Sequence, residues 1–359
     1  MTDILRVLVI APSLRMLGGQ SRQCARLLER LRKEPSLHVD FLPSNPQFIE
    51  PLGFLHRVKY LRTIISALVF WCQLLWRIPR YDVVHVFSAA FYAYLLFAMP
   101  PILVGRLWRK TVILNYRSGE APDHLAHWRT AIPSMRLATA IVVPSPYLVE
   151  VFAGFGLKAS FIYNMVELER FTFRQRSPLR PQFLTTRLLE PLYNVPCVLR
   201  AFRGIQERYP SAALRIGGEG FLRPELEALA KQLSLKNIEF IGRTPFEEMP
   251  RLYDSAEIYL TATNLDNMPS SITECLASGL PVVTTNAGGI PFIVEHEKTC
   301  LMVEKNDDVA MAAEAIRLLE QPELASKIAN NGRIASRQWT WEAVGAKWLE
   351  LYQSLAVRS

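Results

Sequence analysis

The sequence predicts two α/β domains of the doubly wound type. Two observations carry this prediction: short β-branched runs recur along the 359 residues, and stretches with helical periodicity separate them. Strands that alternate with helices imply parallel sheets. The length agrees, because domains of roughly 100–200 residues leave room for two.

The predicted strands fall into two series. The first comprises Arg6–Ala11, Asp82–Phe87, Thr111–Tyr116 and Ala140–Pro144. The second comprises Phe183–Thr186, Ala212–Gly217, Ile238–Gly242, Glu257–Thr261 and Pro281–Thr285. Each series suits one Rossmann-type domain, and the polar, arginine-rich stretch Asn164–Pro181 is typical of a linker. We therefore predict a first domain over residues 1–165 and a second over residues 166–338.

Helical periodicity fills the gaps between the strands. Two sets of apolar residues stand at the spacing i, i+3, i+4, i+7, which is one face of a helix. They are Cys24, Leu27, Leu28 and Leu31 in the first domain, and Val195, Val198, Leu199 and Phe202 in the second. Each set predicts a helix that buries this face against its sheet.

The composition restricts the partners. Apolar residues make up 50% of the chain and charged residues 21%, so both domains can build a core. The net charge of +8 favours anionic partners, namely nucleic acid, phosphorylated small molecules or an anionic membrane surface. No zinc-finger spacing and no aromatic RNA-binding motif is present, which argues against nucleic acid.

The cysteines and the N-terminus predict a cytoplasmic protein. The five cysteines are scattered and odd in number, which is typical of free thiols in a reducing compartment. Met1–Ile10 reads as a short strand without the basic region or cleavage site of a signal peptide.

One segment has two interpretations. Between Pro51 and Tyr81 there is no acidic residue, and the five basic ones are Arg57, Lys59, Arg62, Arg77 and Arg80. The apolar run Ile64–Trp76 is shorter than the 20 or so residues that span a bilayer. It predicts either a helix that rests peripherally on an anionic membrane or a helix buried against the first sheet with solvated arginines. The later run Val83–Val104 is uncharged and long enough for a transmembrane helix, but it opens as a strand and is broken by Pro100-Pro101.

The stretch Thr261–Val294 carries the most chemical information. A strand ends near Thr261, a loop with Asp266 follows, and a helix begins near Ser270–Ser271. Ligands of open α/β sheets bind at the carboxyl ends of strands, and a helix N-terminus there offers N–H groups to phosphate. Carboxylates beside a phosphate site bind hydroxyls, so Asp266 and Glu274 suit those of a ribose or a hexose.

These residues resemble the E-x7-E region of retaining glycosyltransferases of family 4, whose GT-B fold has two Rossmann-like domains facing a cleft. Asp266 takes the first acidic position and Glu274 the second, with seven residues between them. The following CLASGLPVV and AGGIP resemble the helix-to-strand passage and the glycine turn of that family. The alternative is an ordinary βαβ unit with a capped helix.

Further matches extend the resemblance over almost the whole chain. Arg187 matches the arginine that holds the donor diphosphate, a task for which a permanently charged fork is suited. The other donor-binding residues that the resemblance implies are Gly18, Gly19, Gly218, Arg243, Asn267, Met268, Pro269, Ser270 and Ser271. For each glycine loop alone, a structural turn explains the sequence equally well. The resemblance also implies that the C-terminal segment 339–359 crosses back to the first domain.

The chain departs from the family pattern at several positions. Tyr193 stands where a diphosphate-binding lysine is usual, and Arg117 where a first-domain histidine lies beside the reacting sugar. Phe292 and Cys300 replace a usual glutamate and glycine. Either Arg117 pairs with donor phosphate and offsets the missing lysine, or both sites have lost their function. His85 resembles a strand histidine of the family, or it is a hydrogen-bonded core residue.

The resemblance implies a reaction without cofactor or metal. Glu274 binds the ribose, Asp266 binds the sugar, and Arg187 stabilises the leaving diphosphate together with the amides near Pro269–Ile272. The anomeric configuration is retained. The implied partners are a nucleotide-sugar donor and a glycan or lipid-linked acceptor in cell-envelope or exopolysaccharide assembly.

Two other functions stay open. A non-catalytic member would keep the site for sugar-nucleotide binding or as a scaffold subunit, and Tyr193 and Arg117 motivate this hypothesis. A sugar-nucleotide epimerase of the same fold would act on the donor without an added acceptor. Turnover of the donor by the purified protein separates these functions from glycosyl transfer.

Overall fold

A computed structural model of the chain describes residues 4–14, 19–45 and 59–356, without the side chains of residues 59–64 and 356. The chain forms two compact units. Unit 1 comprises the described residues up to Met165 and from Trp341 onward, and unit 2 comprises Val166–Thr340. The predicted donor-binding residue Gly18 and the basic residue Arg57 lie outside the described residues.

Unit 1 is built on a parallel sheet. Its described strands are β1 (Leu5–Ala11), β2 (Leu37–Pro43), β3 (Val83–Ser88), β4 (Thr111–Tyr116), β5 (Ala140–Val143) and β6 (Ser160–Phe161). They lie in the order β2-β1-β3-β4-β5-β6. The register places Val9 of β1 beside His85 of β3, and Ser88 at the end of β3 beside Tyr116 at the end of β4.

Helices cover both faces of this sheet. They are α1 (Gly19–Leu31), α2 (Lys59–Arg77), α3 (Phe91–Ala93), α4 (Met99–Leu107), α5 (Ala121–His127), α6 (Ala131–Met135) and α7 (Pro146–Gly154). Successive residues of β1 alternate between two cores, because side chains of a strand point to opposite faces. Leu8 and Ile10 face the core that α2 joins with Phe70 and Leu74. Val9 faces the core that α1 joins with its predicted apolar face.

Unit 2 repeats this plan. Its described strands are β7 (Gln182–Thr186), β8 (Ala213–Gly217), β9 (Ile238–Gly242), β10 (Ile258–Thr261), β11 (Val282–Thr285) and β12 (Leu301–Val303). They are parallel and lie in the order β12-β11-β10-β7-β8-β9. The chain order reverses between β7 and β10, so the topological switch point of this sheet lies there.

The helices of unit 2 are α8 (Val195–Arg208), α9 (Arg223–Gln232), α10 (Met249–Asp254), α11 (Ser270–Ala277), α12 (Asp308–Glu320) and α13 (Pro322–Ser336). The predicted apolar face of α8 is buried, with Val198, Leu199 and Phe202 packed in the core. Helix α14 (Trp341–Ala356) follows unit 2 in the chain but packs in unit 1, where Trp348 and Tyr352 join the same core as Val9.

The two doubly wound sheets predicted from the sequence are confirmed. Each of the nine predicted strands is present with ends that differ by at most one residue. The prediction missed β2, β6 and β12. Strand β2 alternates between polar and apolar residues at the edge of its sheet, and β6 and β12 contain two and three residues. Such short or half-polar strands lack the continuous apolar run of a buried parallel strand.

The apolar run of residues 64–76 forms part of α2. In the described part of the chain, no helix combines the length and apolar character needed to span a membrane. The uncharged run from Val83 to Val104 divides into β3, α3, a π-helix at Tyr94–Ala98 and α4.

Candidate functional site

The carboxyl ends of β7 and β10 lie side by side at the switch point of the unit 2 sheet, where open α/β sheets bind ligands. Arg187 directly follows β7, Asp266 lies in the loop after β10, and Ser270 begins α11. The strand order therefore brings Arg187 next to the Asp266 loop and the start of α11, which lie about 80 residues later in the chain.

The guanidinium of Arg187 is enclosed by partners. Its Nη2 pairs with Oδ2 of Asp266, and its Nη1 donates a hydrogen bond of 3.1 Å to Oγ of Ser271. The ring of Tyr193 lies below it, 4.4 Å from Cζ. Burial opposes the charged form, but the charge of the Asp266 carboxylate and its hydrogen bond outweigh it, so the pKa of Arg187 is raised. Arg187 therefore remains a cation at every usable pH.

Asp266 is held by two donors. Oδ2 lies on Arg187, and Oδ1 accepts a hydrogen bond of 2.7 Å from the amide of Asn267. Because an ionised carboxylate has about four acceptor positions, two or so remain for a ligand hydroxyl. The side chains of Arg187 and Asp266 are 8% and 19% exposed, so the pair is largely desolvated but reachable.

Glu274 lies in α11 and is almost fully buried. Its Oε2 accepts a hydrogen bond of 3.1 Å from the hydroxyl of Tyr253 in α10. Burial, reinforced by the negative charge of Glu274, raises the pKa of Tyr253 well above its usual value. Tyr253 is therefore a permanent donor, and it fixes the orientation of the carboxylate.

The N-terminus of α11 completes the group. Pro269 precedes the helix, and Ser270 and Ser271 are its first two residues. The first amides of a helix have no carbonyl acceptor within the helix, and the dipole there favours negative charge. The predicted residues Asn267, Met268 and Ser271 are buried around this terminus, each less than 9% exposed.

Two glycine turns press against this site. Gly218 has a φ of +129°, and a Cβ built there would overlap the carbonyl oxygen of Arg187. Gly289 donates its amide to the carbonyl oxygen of Asp266 at 2.8 Å, and a Cβ there would overlap the carbonyl oxygen of Asn267. The backbones that carry the ion pair are thus positioned by residues without a side chain.

We expect Gly218→Ala to displace the Arg187 loop. The added methyl group meets backbone rather than a flexible side chain, and the left-handed φ adds strain of about 1–3 kcal/mol. Nucleotide affinity should fall together with the melting temperature. Gly154→Ala is the control, since a Cβ there meets no atom within 4 Å. Unchanged nucleotide affinity in Gly218→Ala would contradict this role.

A cavity of about 330 Å³ lies between β8, β9 and α10. It is lined by Arg215, Ile241, Arg243, Thr244, Glu248, Arg251, Leu252 and Ser255. With three arginines and one glutamate, its lining is positive. The predicted residue Arg243 belongs to this cavity, and Leu252 is the neighbour of Tyr253, so α10 contributes to both the cavity and the Glu274 contact.

The remaining predicted residues lie in unit 1. Gly19 begins α1, whereas Gly18 is outside the described part of the chain. Arg117 follows β4, and its amide donates to the carbonyl oxygen of Ser88 at the end of β3. Gly19 and Arg117 thus both follow the carboxyl ends of strands in this sheet.

Sequence reasoning missed Tyr253 and Tyr259. Tyr259 in β10 hydrogen-bonds Thr186 with its hydroxyl 3.1 Å from Oγ1, which anchors the end of β7 next to Arg187. Both tyrosines are almost fully buried. In the sequence they are indistinguishable from core aromatics, because their hydroxyl partners are 21 and 73 residues away.

Residues 170–335 match the family model of glycosyl transferases group 1. The chain is similar to a D-inositol 3-phosphate glycosyltransferase of Corynebacterium urealyticum, 29% identical over 175 residues, 46% of this chain and 41% of the relative. It is also similar to the putative colanic acid biosynthesis glycosyltransferase WcaL of Escherichia coli, 26% identical over 201 residues, 53% of this chain and 50% of the relative. These matches span half or less of the length of these curated relatives.

The fold is similar to that of HepE from Anabaena in complex with UDP, with a TM-score of 0.79 and 15% identity over 98% of this chain and 100% of that chain. A complex of HepE with UDP-glucose gives a TM-score of 0.77. At this identity the likeness concerns the fold. The chain therefore has the GT-B fold, and its residues 170–335 are similar to the glycosyl transferases group 1 family.

Proposed function

We propose that the chain transfers a sugar from a nucleotide-sugar donor to an acceptor hydroxyl. The observation that carries this proposal is the grouping of Arg187, the N-terminus of α11 and Glu274 at one switch point. A nucleotide sugar presents a diphosphate between two polyols, so it needs a cation and amides beside carboxylates. The UDP and UDP-glucose in the HepE complexes support this donor class.

Arg187 and the amides of Ser270 and Ser271 would bind the diphosphate. Negative charge on the diphosphate grows as the bond to the sugar breaks, and donors that are already oriented stabilise this charge without reorganisation. Asp266 and Ser271 hold the guanidinium in place before the donor arrives. The cavity beside Arg243 would take the nucleotide base, since it adjoins Tyr253, the partner of Glu274.

Glu274 would bind the ribose hydroxyls and Asp266 the sugar. Both carboxylates are already engaged, by Tyr253 and Arg187, so neither is placed as a general base. We therefore propose that an oxygen of the leaving diphosphate takes the acceptor proton. Donor and acceptor then share one face of the sugar, and the anomeric configuration is retained. Because Arg187 and α11 supply the positive charge, no metal or cofactor is included.

Tyr193 favours one alternative, a binding or scaffold subunit without turnover. It stands where the family pattern has a lysine, and in the structure its ring supports Arg187 from below. An aromatic face stabilises a cation by about 0.5–2 kcal/mol, but it adds no positive charge for the diphosphate. The site therefore keeps its arginine while offering less charge to the leaving group.

A donor screen followed by a turnover assay tests the proposal. Thermal shift against nucleoside diphosphates and their sugars identifies the donor, and release of the diphosphate is then measured with EDTA and acceptor glycans. Acceptor-dependent release with an α- or β-linkage matching the donor supports retaining transfer. Binding without turnover supports the scaffold function, and an isomerised donor without acceptor supports an epimerase. Activity that EDTA abolishes and manganese restores would contradict the metal-free mechanism.

We also propose that unit 1 contacts an anionic membrane through a surface formed by α2, α4 and the residues that follow them. Helix α2 buries Phe70 and Leu74 on one face. Its opposite face and the neighbouring α4 expose large apolar side chains: Leu68, Leu75, Trp76, Leu103, Leu107 and Trp108. We call these six residues the apolar surface.

The charges around the apolar surface favour an anionic bilayer as its partner. Residues 65–110 contain five lysines and arginines and a single acidic residue, Asp82, which pairs with Arg6. Arg80 lies over the ring of Trp76, with Cζ 3.6 Å from its centroid, and Arg106 and Arg109 are exposed near Leu107. Such basic residues contribute about 1 kcal/mol each near an anionic membrane. A lipid-linked acceptor in cell-envelope assembly would be reached from this position.

Replacing Trp76 and Leu107 together by Ala should weaken binding to phosphatidylglycerol vesicles. Each side chain contributes about 1.5–3 kcal/mol if it is buried in the interface, so the partition coefficient should fall at least about 100-fold. Cosedimentation measures it. Phe221→Ala with Ile334→Ala is the matched control, because these residues are 69% and 62% exposed in unit 2. Equal binding of both double variants would contradict the proposal, as would self-association of the wild type through this surface.

A further inference from the structure

A buried chain of polar side chains links α14 to the end of β4 in unit 1. Nδ1 of His85 lies 2.6 Å from the hydroxyl of Tyr352, and its Nε2 lies 3.0 Å from Nδ2 of Asn115. Nη1 of Arg117 then donates to Oδ1 of Asn115 at 3.2 Å. Tyr352, His85 and Asn115 are at most 1% exposed.

Arg117, the last member of this series of side chains, determines which group donates and which accepts in each of its hydrogen bonds. Arg117 has only donors, so the Asn115 atom that faces it is the carbonyl oxygen. The amide group of Asn115 then donates to Nε2 of His85, which must accept. His85 is therefore neutral with its proton on Nδ1, and this proton is donated to Tyr352. Burial and the charge of Arg117 lower the pKa of His85 to about 3, in agreement with a neutral ring.

Arg117 is a largely enclosed cation without an anion. Among the described residues it forms no ion pair, and Asn115 is its one side-chain hydrogen-bond acceptor. Its Cζ lies 5.3 Å from the centroid of the Phe87 ring. Burial lowers the pKa of Arg117 to about 10, which is still well above neutral pH, so Arg117 stays charged. The nearby thiol of Cys24 supplies no charge, because burial raises its pKa to about 12.

Charges that are largely removed from water are normally paired in proteins, and Arg117 lies where ligands of open α/β sheets bind. Arg117 follows β4, beside the end of β3, and it is partly exposed. Nε and Nη2 of its guanidinium have no hydrogen-bond partner in the described part of the chain. They are therefore available to an oxyanion.

We propose that Arg117 binds a phosphate oxyanion of a substrate, and that Asn115, His85 and Tyr352 are its positioning residues. The phosphate belongs either to the nucleotide donor or to a phosphorylated acceptor, and the shared chemistry is a diphosphate or phosphate group. The proposal rests on the proposed function only in calling the ligand a substrate. The hydrogen-bond chain transmits the position of α14 to Arg117, since losing any member leaves the next one without its partner.

Anion binding is tested with Arg117→Gln and three probes: inorganic pyrophosphate, the nucleoside diphosphate found by the donor screen, and geranyl diphosphate. Affinity for pyrophosphate should fall by about 10- to 150-fold, the effect of one charged hydrogen bond. A parallel loss for the nucleoside diphosphate identifies the donor as the source, and a parallel loss for geranyl diphosphate but not for the nucleoside diphosphate identifies the acceptor. Unchanged affinity for all three probes overturns the proposal.

The outcome is separable from that of the proposed function. Glu274→Gln alters unit 2 only, so weakened nucleotide binding in that variant, with no loss of affinity for any of the three probes in Arg117→Gln, would leave the proposed function standing without this inference. Pyrophosphate binding that depends on Arg117, in a protein that shows no glycosyl transfer, would support this inference and contradict the proposed function.

The positioning role has a readout that a purely structural role would not change. In ¹⁵N-histidine spectra, His85 should show the neutral form protonated at Nδ1 from about pH 5 to 8, the range in which an ordinary histidine titrates. Arg117→Gln removes the cation that orients the amide of Asn115. His85 should then adopt the other neutral tautomer or a mixture of the two. If His85 of the wild type is protonated at Nε2, the proposed hydrogen-bond directions and the positioning role are wrong, regardless of the results with the variants.

Tyr352→Phe completes the test. It should weaken pyrophosphate binding in the wild-type background and have no further effect in the Arg117→Gln background, because coupled residues are non-additive. Tyr94→Phe is the matched control. Tyr94 is fully buried in unit 1, and its hydroxyl hydrogen-bonds Ser134, which does not belong to the hydrogen-bonded series Tyr352–His85–Asn115–Arg117. Equal effects of the two tyrosine variants on pyrophosphate affinity would contradict a positioning role.

Discussion

Arg187→Met should both destabilise unit 2 and abolish binding of the nucleoside diphosphate. The substitution keeps the volume of the side chain but leaves the carboxylate of Asp266 without its cation. Breaking a buried ion pair on one side costs about 3–5 kcal/mol. We expect about 3 kcal/mol in the free energy of unfolding, since Asp266 retains 19% of its side-chain exposure. Denaturant unfolding and calorimetry measure the two effects.

Two further variants separate stability from binding. Arg187→Met with Asp266→Leu removes both charges, so stability should largely recover while diphosphate affinity stays lost. Arg180→Met is the matched control, because Arg180 is an exposed arginine whose partner Glu257 also contacts Arg174. The uncharged nucleoside should bind all variants equally. If Arg187→Met binds the nucleoside diphosphate as the wild type does, the diphosphate site has been assigned wrongly.

Glu274→Gln should weaken nucleotide binding with little change in stability. The amide keeps the shape and can still accept from Tyr253, but it loses the charge that strengthens hydrogen bonds from ligand hydroxyls. A hydrogen bond to a charged group contributes about 1.5–3 kcal/mol, which corresponds to roughly 10- to 150-fold in affinity. Calorimetry with the nucleoside diphosphate gives this factor.

A ribose comparison tests the assigned contact itself. If Glu274 binds ribose hydroxyls, the wild type should prefer the ribonucleotide over its deoxy analogue, and Glu274→Gln should lose much of this preference. Glu257→Gln is the matched control. Glu257, which directly precedes β10, is as buried as Glu274, but its partners are Arg174 and Arg180. A preference that survives in Glu274→Gln would show that another group reads the ribose.

Much of the site was predictable because its parts are close in the sequence. Asp266, the start of α11 and Glu274 lie within nine residues, and the spacing places the loop and the first turns of a helix next to each other. The apolar periodicity of α1 and α8 is likewise local. Patterns of this kind depend on backbone geometry, which acts over a few residues.

Other parts of the site depended on contacts that are distant in the chain. Arg187 and Asp266 are 79 residues apart, and their pairing follows from β7 lying beside β10 in the sheet. Strand order is decided by how crossover helices pack, and the sequence carries no local signal for it. The same holds for the support of Arg187 by Tyr193, which the sequence presented only as a departure from a family pattern.

The sequence by itself determined the fold class, the positions of nine strands and the segments that carry the candidate donor site. The tertiary structure decided which of these segments meet. It placed Tyr253 on Glu274, the Gly218 turn against Arg187, and Tyr352 in contact with His85, 267 residues earlier in the chain. The physical reason is that local patterns report which face of an element is buried, whereas the identity of the buried neighbour is set by the packing of whole elements in the folded chain.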